Sequence, residues 1–434
     1  MKKGIIGILL LFASITLYAH ELNIGLELWP RAEYRSGYGS PITCKEDPGG
    51  FMLQRTRLML GYKNSFLKTG VTIQDSRTFG ESGTNSESVN TSGALSIQEA
   101  WANLLLIPGG TLTIGRQALK YDDKRIFSDA NWSNTGTSHD LVLFSYALEN
   151  LFTANLGVAY NNDKTISKES IYSGSTKYRY LGYLWISKPI GANWLISALA
   201  MDEGIQQTKI DPVTGILTSD KTVDMYHRYI AGGNIKFLNK NFPFDLFATA
   251  YFQFGKATAT KDLRSYLLAL KMNYTCSPKL IITIGSDLYS GDDGKDEQMI
   301  KTFQWLYGAP HSFNGTMDYW TATLPKQGLI DVYGQFAGLL NKKFGYELCY
   351  HVFNTSKEII RNDTAHGTSL GTEIDFRLTY KMNSWVSVEG GWSSYLLNDN
   401  SRYLKTNSAN TNTRAPGWAY LMLTIKTGQF KLKS

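Results

Sequence analysis

The chain has 434 residues, with 44 Lys and Arg against 37 Asp and Glu, a net charge of +7 and 43% hydrophobic residues. The mild basic excess forms no run, which argues against a nucleic-acid footprint, and beyond the N-terminus no stretch reaches the roughly 18 apolar residues of a membrane-crossing helix. Forty glycines, 26 tyrosines, 20 phenylalanines and 10 tryptophans suit turns, close strand packing and interfacial aromatic belts instead.

Residues 1–19 carry Lys2 and Lys3, an apolar stretch from Gly4 to Phe12 and the small Ala19, and read as a secretory signal peptide. Residues 20–434 read as one domain of strands. Leu22, Ile24, Leu26 and Leu28 open a period-two pattern that recurs along the chain. It is clearest from Thr372 to Lys381, where Ile374, Phe376, Leu378 and Tyr380 alternate with Glu373, Asp375, Arg377 and Thr379.

Eight short turn signals punctuate the strands: Lys63-Asn64-Ser65, Pro108-Gly109-Gly110, Leu148-Glu149-Asn150, Pro189 to Asn193, Asn239-Lys240-Asn241, Ser277-Pro278, Asn341-Lys342-Lys343 and Met382-Asn383-Ser384. Between them lie longer polar stretches: Ser36–Gly50, Gly80–Gly93, Leu119–Ser138, Asn161–Lys177, Asp202–Met225, Ser290–Gly328, Asn354–Ser369 and Asn398–Pro416, with a shorter one around Ala257–Asp262. Eight hairpins and two terminal strands predict an all-β, antiparallel transmembrane β-barrel of about 18 strands with short periplasmic turns and long extracellular loops.

Aromatic residues beside the turns, including Tyr62, Phe66, Phe152, Trp194, Phe237, Phe244, Tyr274, Phe344 and Trp385, would form the periplasmic girdle. Lipid-facing sets are Leu22 to Leu28; Phe244, Leu246, Ala248, Ala250 and Phe252; Leu280, Ile282 and Ile284; and Phe344, Tyr346, Leu348, Tyr350 and Val352. The opposite phases carry Glu27, Arg31, Asp245, Asp287, Glu347 and His351, assigned to the lumen because a basic residue at the lipid midplane costs about 2–4 kcal/mol.

Arg55 and Arg57 share one phase of one strand and Arg116 ends another, so their guanidinium groups could converge on one wall, where Arg binds carboxylates bidentately and lowers the barrier to anions. The competing reading pairs them with Glu99, Asp75 and Asp140 as braces. Arg77, Arg125, Arg228, Lys271 and Arg377 complete the expected basic lining. Asp245, Asp287, Asp331, Glu347, Glu373, Asp375 and Glu389 make the pore zwitterionic.

The aromatic-rich loop Ser290–Gly328 could plug the mouth or lie over it as a lid. Asp292, Asp293 and Asp296 are calcium candidates, against the plainer reading of a solvated acidic loop. Cys44, Cys276 and Cys349 have no zinc spacing, and Cys44 and Cys276 fall at opposite ends of the barrel. No Gly-x-Ser-x-Gly elbow or paired Ser and His frame marks an enzyme, and no cofactor is implied. The terminus from Gln429 to Ser434 departs from the usual terminal aromatic, with Phe430 as its candidate substitute.

The stretch from Gly115-Arg116-Gln117 to Asp140, with Tyr121, Asp122, Arg125 and Trp132 in order, resembles the signature of the alginate export porin family. Gln54-Arg55-Thr56-Arg57, Gln74-Asp75-Ser76-Arg77 and Gln98-Glu99-Ala100-Trp101 are similar to the family as well. So are Gly285-Ser286-Asp287, Ser290 to Asp293, Leu306-Tyr307-Gly308, His311, Phe313 and Met317-Asp318-Tyr319. The resemblance implies an outer-membrane channel without fixing its solute; together with the arginine wall it sets the expectation of passive passage of a polar, anionic solute, either a uronate polymer such as alginate or a small organic acid. Its partners would be outer-membrane lipid, that solute and the barrel assembly machinery, with no nucleic acid. A general or sugar porin and an outer-membrane hydrolase are the alternative expectations.

Overall fold

A computed structural model describes residues 21–80, 95–162, 165, 167, 172, 178–206, 209–210, 217–218, 225–239, 241–321, 323–408, 412–428 and 430–432. The expected signal peptide, Lys240 of one turn, Gln429 at the terminus, and much of the stretches 80–93, 161–177 and 202–225 lie outside the described residues. Within them, period-two segments pair in sequence as strands β1 Glu21–Ser36, β2 Gly49–Lys63, β3 Leu67–Thr78, β4 Ser96–Ile107, β5 Gly110–Gln117 and β6 His139–Leu148. There follow β7 Phe152–Tyr160, β8 Tyr180–Ile190, β9 Trp194–Gln206, β10 Met225–Phe237, β11 Phe244–Lys256 and β12 Asp262–Ser277. The last six are β13 Leu280–Tyr289, β14 Leu329–Leu339, β15 Phe344–Asn354, β16 Ser369–Lys381, β17 Val386–Leu397 and β18 Gly417–Lys426.

Every neighbouring pair is antiparallel, and β18 closes the ring on β1 with Leu28 opposite Ile425 and Ser36 opposite Gly417. Phe430–Leu432 continues that edge along Leu22–Ile24. Each expected tight turn falls between two strands, and the connections at the other end match the expected long stretches, except that Asp202–Gln206, placed in a long stretch, belongs to β9. Closure satisfies the backbone donors and acceptors that lipid cannot.

The phases follow the alternation. Leu26, Phe252, Ile284, Leu348 and Tyr350 are exposed on the outside, whereas Glu27, Arg31, Asp287 and His351 are buried inside. Near the periplasmic turns Trp194, Tyr274 and Trp385 are exposed, and the Trp194 and Phe237 rings lie 4.8 Å apart.

Two expected luminal pairs point the other way. On β3, Asp75 and Arg77 share the phase of Val71 and Ile73, while Thr72, Gln74 and Ser76 take the buried inner one. Arg116 shares the phase of exposed Ile114, and Asp140 that of exposed Val142. These four residues stand toward the extracellular ends of their strands and form two outward ion pairs, Asp75 with Arg77 (2.7 Å) and Asp140 with Arg116 (2.7 Å).

Inside, five glycines lie opposite an aromatic residue on the next strand: Gly70 with Trp101, Gly157 with Tyr183, Gly232 with Tyr251, Gly285 with Tyr333, and Gly391 with Tyr420. A Cβ at Gly157 would lie 2.2 Å from the Tyr183 ring and one at Gly391 2.0 Å from the Tyr420 ring. The missing side chains let these rings lie flat along the wall.

Candidate functional site: a luminal chamber beneath two crossing loops

The connection Ala118–Ser138 does not stay at the mouth but runs across the bore. Asp122, Lys124 and Ala130 adopt positive φ of 53°, 68° and 42°, which bends the segment sharply. On the β8–β13 wall, the Asp122 carboxylate accepts hydrogen bonds from Trp185 Nε1 (3.0 Å), Tyr251 OH (3.1 Å) and Ser197 Oγ. Arg125 is fully enclosed there. It donates to Asp287 (2.7 Å), Asp123 (3.0 Å) and Tyr289 OH (2.7 Å), with its guanidinium 3.9 Å over the Phe313 ring.

The far end of the same loop is held by β1–β3. Arg55 donates to the carbonyls of Asn131 (2.8 Å) and Ser133 (2.9 Å) and to Glu27 (2.8 Å), while Arg31 donates to the Trp132 carbonyl (2.9 Å). Gln74 and Ser76 bind the carbonyls of Thr135 and Asn134. A buried pair such as Arg55–Glu27 adds little net stability by itself, and Glu27 also has Arg57 at 3.8 Å and Lys426 at 3.7 Å.

Ser290–Gly328 also folds inward and locks onto the first loop. Phe127 and Tyr307 form a parallel bridge, Ser128 N–H donates to the Tyr307 carbonyl (2.9 Å), and a Cβ at Gly308 would lie 2.2 Å from the Arg125 carbonyl oxygen. Tyr307 OH donates to Glu203 and Arg228 to Gln304 on one wall. On the other, Thr316 Oγ1 donates to Asp375 (2.6 Å), Met317 N–H to Glu373 (2.8 Å) and Trp320 Nε1 to Tyr395 OH (2.9 Å). Burial pushes the Asp318 carboxyl up, but donors from His311, Tyr38 and Thr321 outweigh it and leave its pKa lowered. Ser290–Gly328 thus lies inside the mouth, interlocked with Ala118–Ser138.

Beneath them lies a chamber of about 480 Å³, lined by parts of both loops and of the strand wall. Three side chains stand in a row on its wall: Lys236 of β10 is opposite Phe247 of β11, which is opposite Lys271 of β12. Lys271 Nζ lies 4.7 Å over the Phe247 ring, and Lys236 Nζ reaches the Asp122 carbonyl at 3.4 Å. Neither lysine forms an ion pair among the described residues. Elsewhere on the lining Arg377 pairs with Glu347 (2.6 Å), and His351 sits between Asp331 (2.9 Å) and the Cys349 thiol (3.1 Å).

The structure thus redistributes the expected lining. Arg55 and Arg57 face the lumen, but Arg55 is braced as above and Arg57 donates to Gln74 (2.7 Å) and Asn131 (2.8 Å). Glu99 accepts the Ala118 N–H (3.1 Å) at the root of the crossing loop. Arg77 pairs with Asp75, and Arg116 with Asp140, on the outer phase, so these four do not line the pore. Arg228 is spent on Glu203 (2.7 Å), whereas Arg125, Lys271 and Arg377 do line the chamber.

Asp292, Asp293 and Asp296, the calcium candidates, accept separate bonds from Gly294, Lys295 and Gln298 N–H groups, and among the described residues no three acidic, His or Cys side chains converge on a metal site. Sequence reasoning missed Lys236, although the inner phase of β10, Arg228, Ile230, Gly232, Asn234 and Lys236, contains it.

A closed eighteen-stranded barrel, apolar outside and polar within, with inward-folded loops over a charged chamber, is an outer-membrane channel. This chain belongs to the alginate export family, whose model, described as Alginate export, matches residues 20–324. No curated protein matches it in sequence.

Among solved structures of similar fold are Acinetobacter baumannii OccAB1 (13% identity, TM-score 0.59, 95% of this chain and 97% of that one) and Pseudomonas aeruginosa OccK9, also called OpdG (12%, 0.59, 94% and 98%). Pseudomonas aeruginosa OpdK with vanillate is a third (11%, 0.57, 95% and 99%).

Proposed function

We propose that this channel passes anionic solutes by diffusion, and that Lys236 and Lys271 form its selecting site. The observation that carries the reading is their lack of an ion pair. The arginines of the lumen are committed to carboxylates, carbonyls or amides at short range, whereas these two ammonium groups face the chamber beside an apolar ring with no ion pair among the described residues, Lys236 reaching only the Asp122 carbonyl at 3.4 Å. Two fixed positive charges in a narrow, low-dielectric passage raise local anion occupancy. A carboxylate could bridge them while its carbon skeleton rests on Phe247.

The chamber would admit a small organic acid or part of a uronate chain. OpdK with vanillate offers an analogy in fold alone. Reversal potential across a salt gradient in planar bilayers tests the reading. Lys236→Ser with Lys271→Ser should shift it toward cations, and an unchanged potential in correctly folded channels would defeat the proposal.

The second reading, a channel without charge preference, draws on Asp331, Glu347 and Asp375 in the same lining. It would gain if wild-type channels conducted both ions equally.

A further inference from the structure

The extracellular rim on β10–β12 carries a second arrangement that solute passage does not use. From Phe244 to Phe254 the outer phase of β11 is wholly apolar. Those ten residue steps span about 34 Å along the strand, which a tilt of about 40° reduces to roughly 26 Å, the height of the apolar band. The stacked Tyr229 and Phe254 rings, 5.3 Å apart, mark its upper edge, with Tyr266 exposed on β12 beside them.

The next outward positions change character at once. His227 on β10, Lys256 on β11 and Arg264 on β12 follow directly on this aromatic edge, and Lys261 sits in the hairpin between the last two. The connection of β11 to β12 spans only 257–261, so the rim is low here and Lys256, Lys261 and Arg264 stand together at its edge beside His227.

His227, Tyr229, Met225, Lys256 and Asp262 line an outward concavity of about 410 Å³ over Gly255, whose φ of 96° goes with the absence of a side chain in its floor. Within it His227 Nδ1 is hydrogen-bonded to Asp202 (2.7 Å) and Lys256 pairs with Asp262 (2.6 Å). Arg264 and Lys261 belong to no ion pair among the described residues, and Arg264 is exposed. Between Lys256 and Arg264 three cations face one carboxylate.

We propose that this concavity and hairpin bind a phosphate of a glycolipid headgroup in the outer leaflet. Lys256 and Arg264 hold the phosphate oxygens, and the sugar rests on Tyr229. A phosphate offers several strong acceptors to such a cluster, while the acyl chains continue down the apolar face below Phe254. Asp262 and Asp202 orient the cations and disfavour a fully anionic macromolecule.

The test uses the full-length protein in mild detergent and native mass spectrometry, with diphosphorylated lipid A, chemically dephosphorylated lipid A and inorganic phosphate as probes. Wild type should retain the diphosphorylated form. Lys256→Ser with Arg264→Ser should weaken retention about tenfold or more, as expected when charge-assisted hydrogen bonds are lost, whereas Arg77→Ser, on β3, should not. Should the double variant fail to give a heat-shifted band, Arg264→Ser alone carries the comparison, since that side chain is exposed. Equal retention of the dephosphorylated lipid, full displacement by millimolar phosphate, or unchanged binding by the variants would each overturn the proposal. So would loss of lipid only through dissociation of a multimer, which would make the surface a subunit contact.

Discussion

The indole of Trp132 lies flat against the imidazole of His311, with ring centroids 4.6 Å apart and planes inclined by 10°. One ring comes from each inward loop, and both line the chamber. Arg31 adds its guanidinium 4.2 Å over the same indole. A stacked pair of this kind contributes about 0.5–1.5 kcal/mol beyond its buried area, enough to close a contact and small enough to remove without unfolding a barrel.

Trp132→Ala should therefore leave the heat-shifted gel mobility intact and raise single-channel conductance. Conductance at the wild-type level would mean that the ions pass elsewhere.

Arg55→Ala should behave differently from substitutions at Lys236 and Lys271. It takes the nearest cation from the buried Glu27 carboxylate, leaving Arg57 at 3.8 Å and Lys426 at 3.7 Å, and frees the Asn131 and Ser133 carbonyls, so a loss of about 1–3 kcal/mol in unfolding free energy is expected. Urea titration followed by tryptophan fluorescence checks this. A loss below 1 kcal/mol, with a large selectivity change, would return Arg55 to the solute path.

A pH effect is expected at the helix α1, Asp399–Thr406. Its Lys405 donates to the Tyr319 carbonyl and stands 4.6 Å over the Trp320 ring; burial pulls its pKa down to about 8, with Asp318 opposing. Unfolded lysine titrates near pH 10.4. Between pH 8 and pH 10.4 the unfolded state holds the extra proton, so stability rises with pH across that window, and below it the cost of the buried charge is felt in full. Proteolytic nicking of Ser290–Gly328 should slow from pH 8 to pH 10, and Lys405→Met should remove that dependence.

Phe376 is exposed on the outer phase of β16 between Ile374 and Leu378. Phe376→Arg should cost about 2–4 kcal/mol if the residue lies near the midplane, seen as a smaller heat-shifted fraction after refolding into vesicles. Normal refolding would place this face away from lipid.

The barrel is legible in the sequence because two local signals agree: period-two alternation, as in Thr372–Lys381, and tight polar turns such as Pro108-Gly109-Gly110. Inner and outer phase is equally legible wherever hydrocarbon touches the strand, as at Glu27 and Leu28. It fails for Asp75, Arg77, Arg116 and Asp140 because each outward charge here meets an opposite charge on the same face, a pairing that period-two alternation does not encode.

The chamber is harder to read. That Arg55 is a brace depends on where residues 131–133 fold, a contact across 76 positions of sequence. The signature through Tyr121, Asp122, Arg125 and Trp132 describes how a loop is anchored across the bore, and this cannot be inferred from strand phase.

The recumbent aromatic rings have a consequence for how such a channel can change. With Tyr183, Tyr333 and Tyr420 laid over Gly157, Gly285 and Gly391, an alanine at any of these glycines would lift a phenol off the wall and into the stream. Bore width could then be retuned one methyl group at a time, leaving every charge in place.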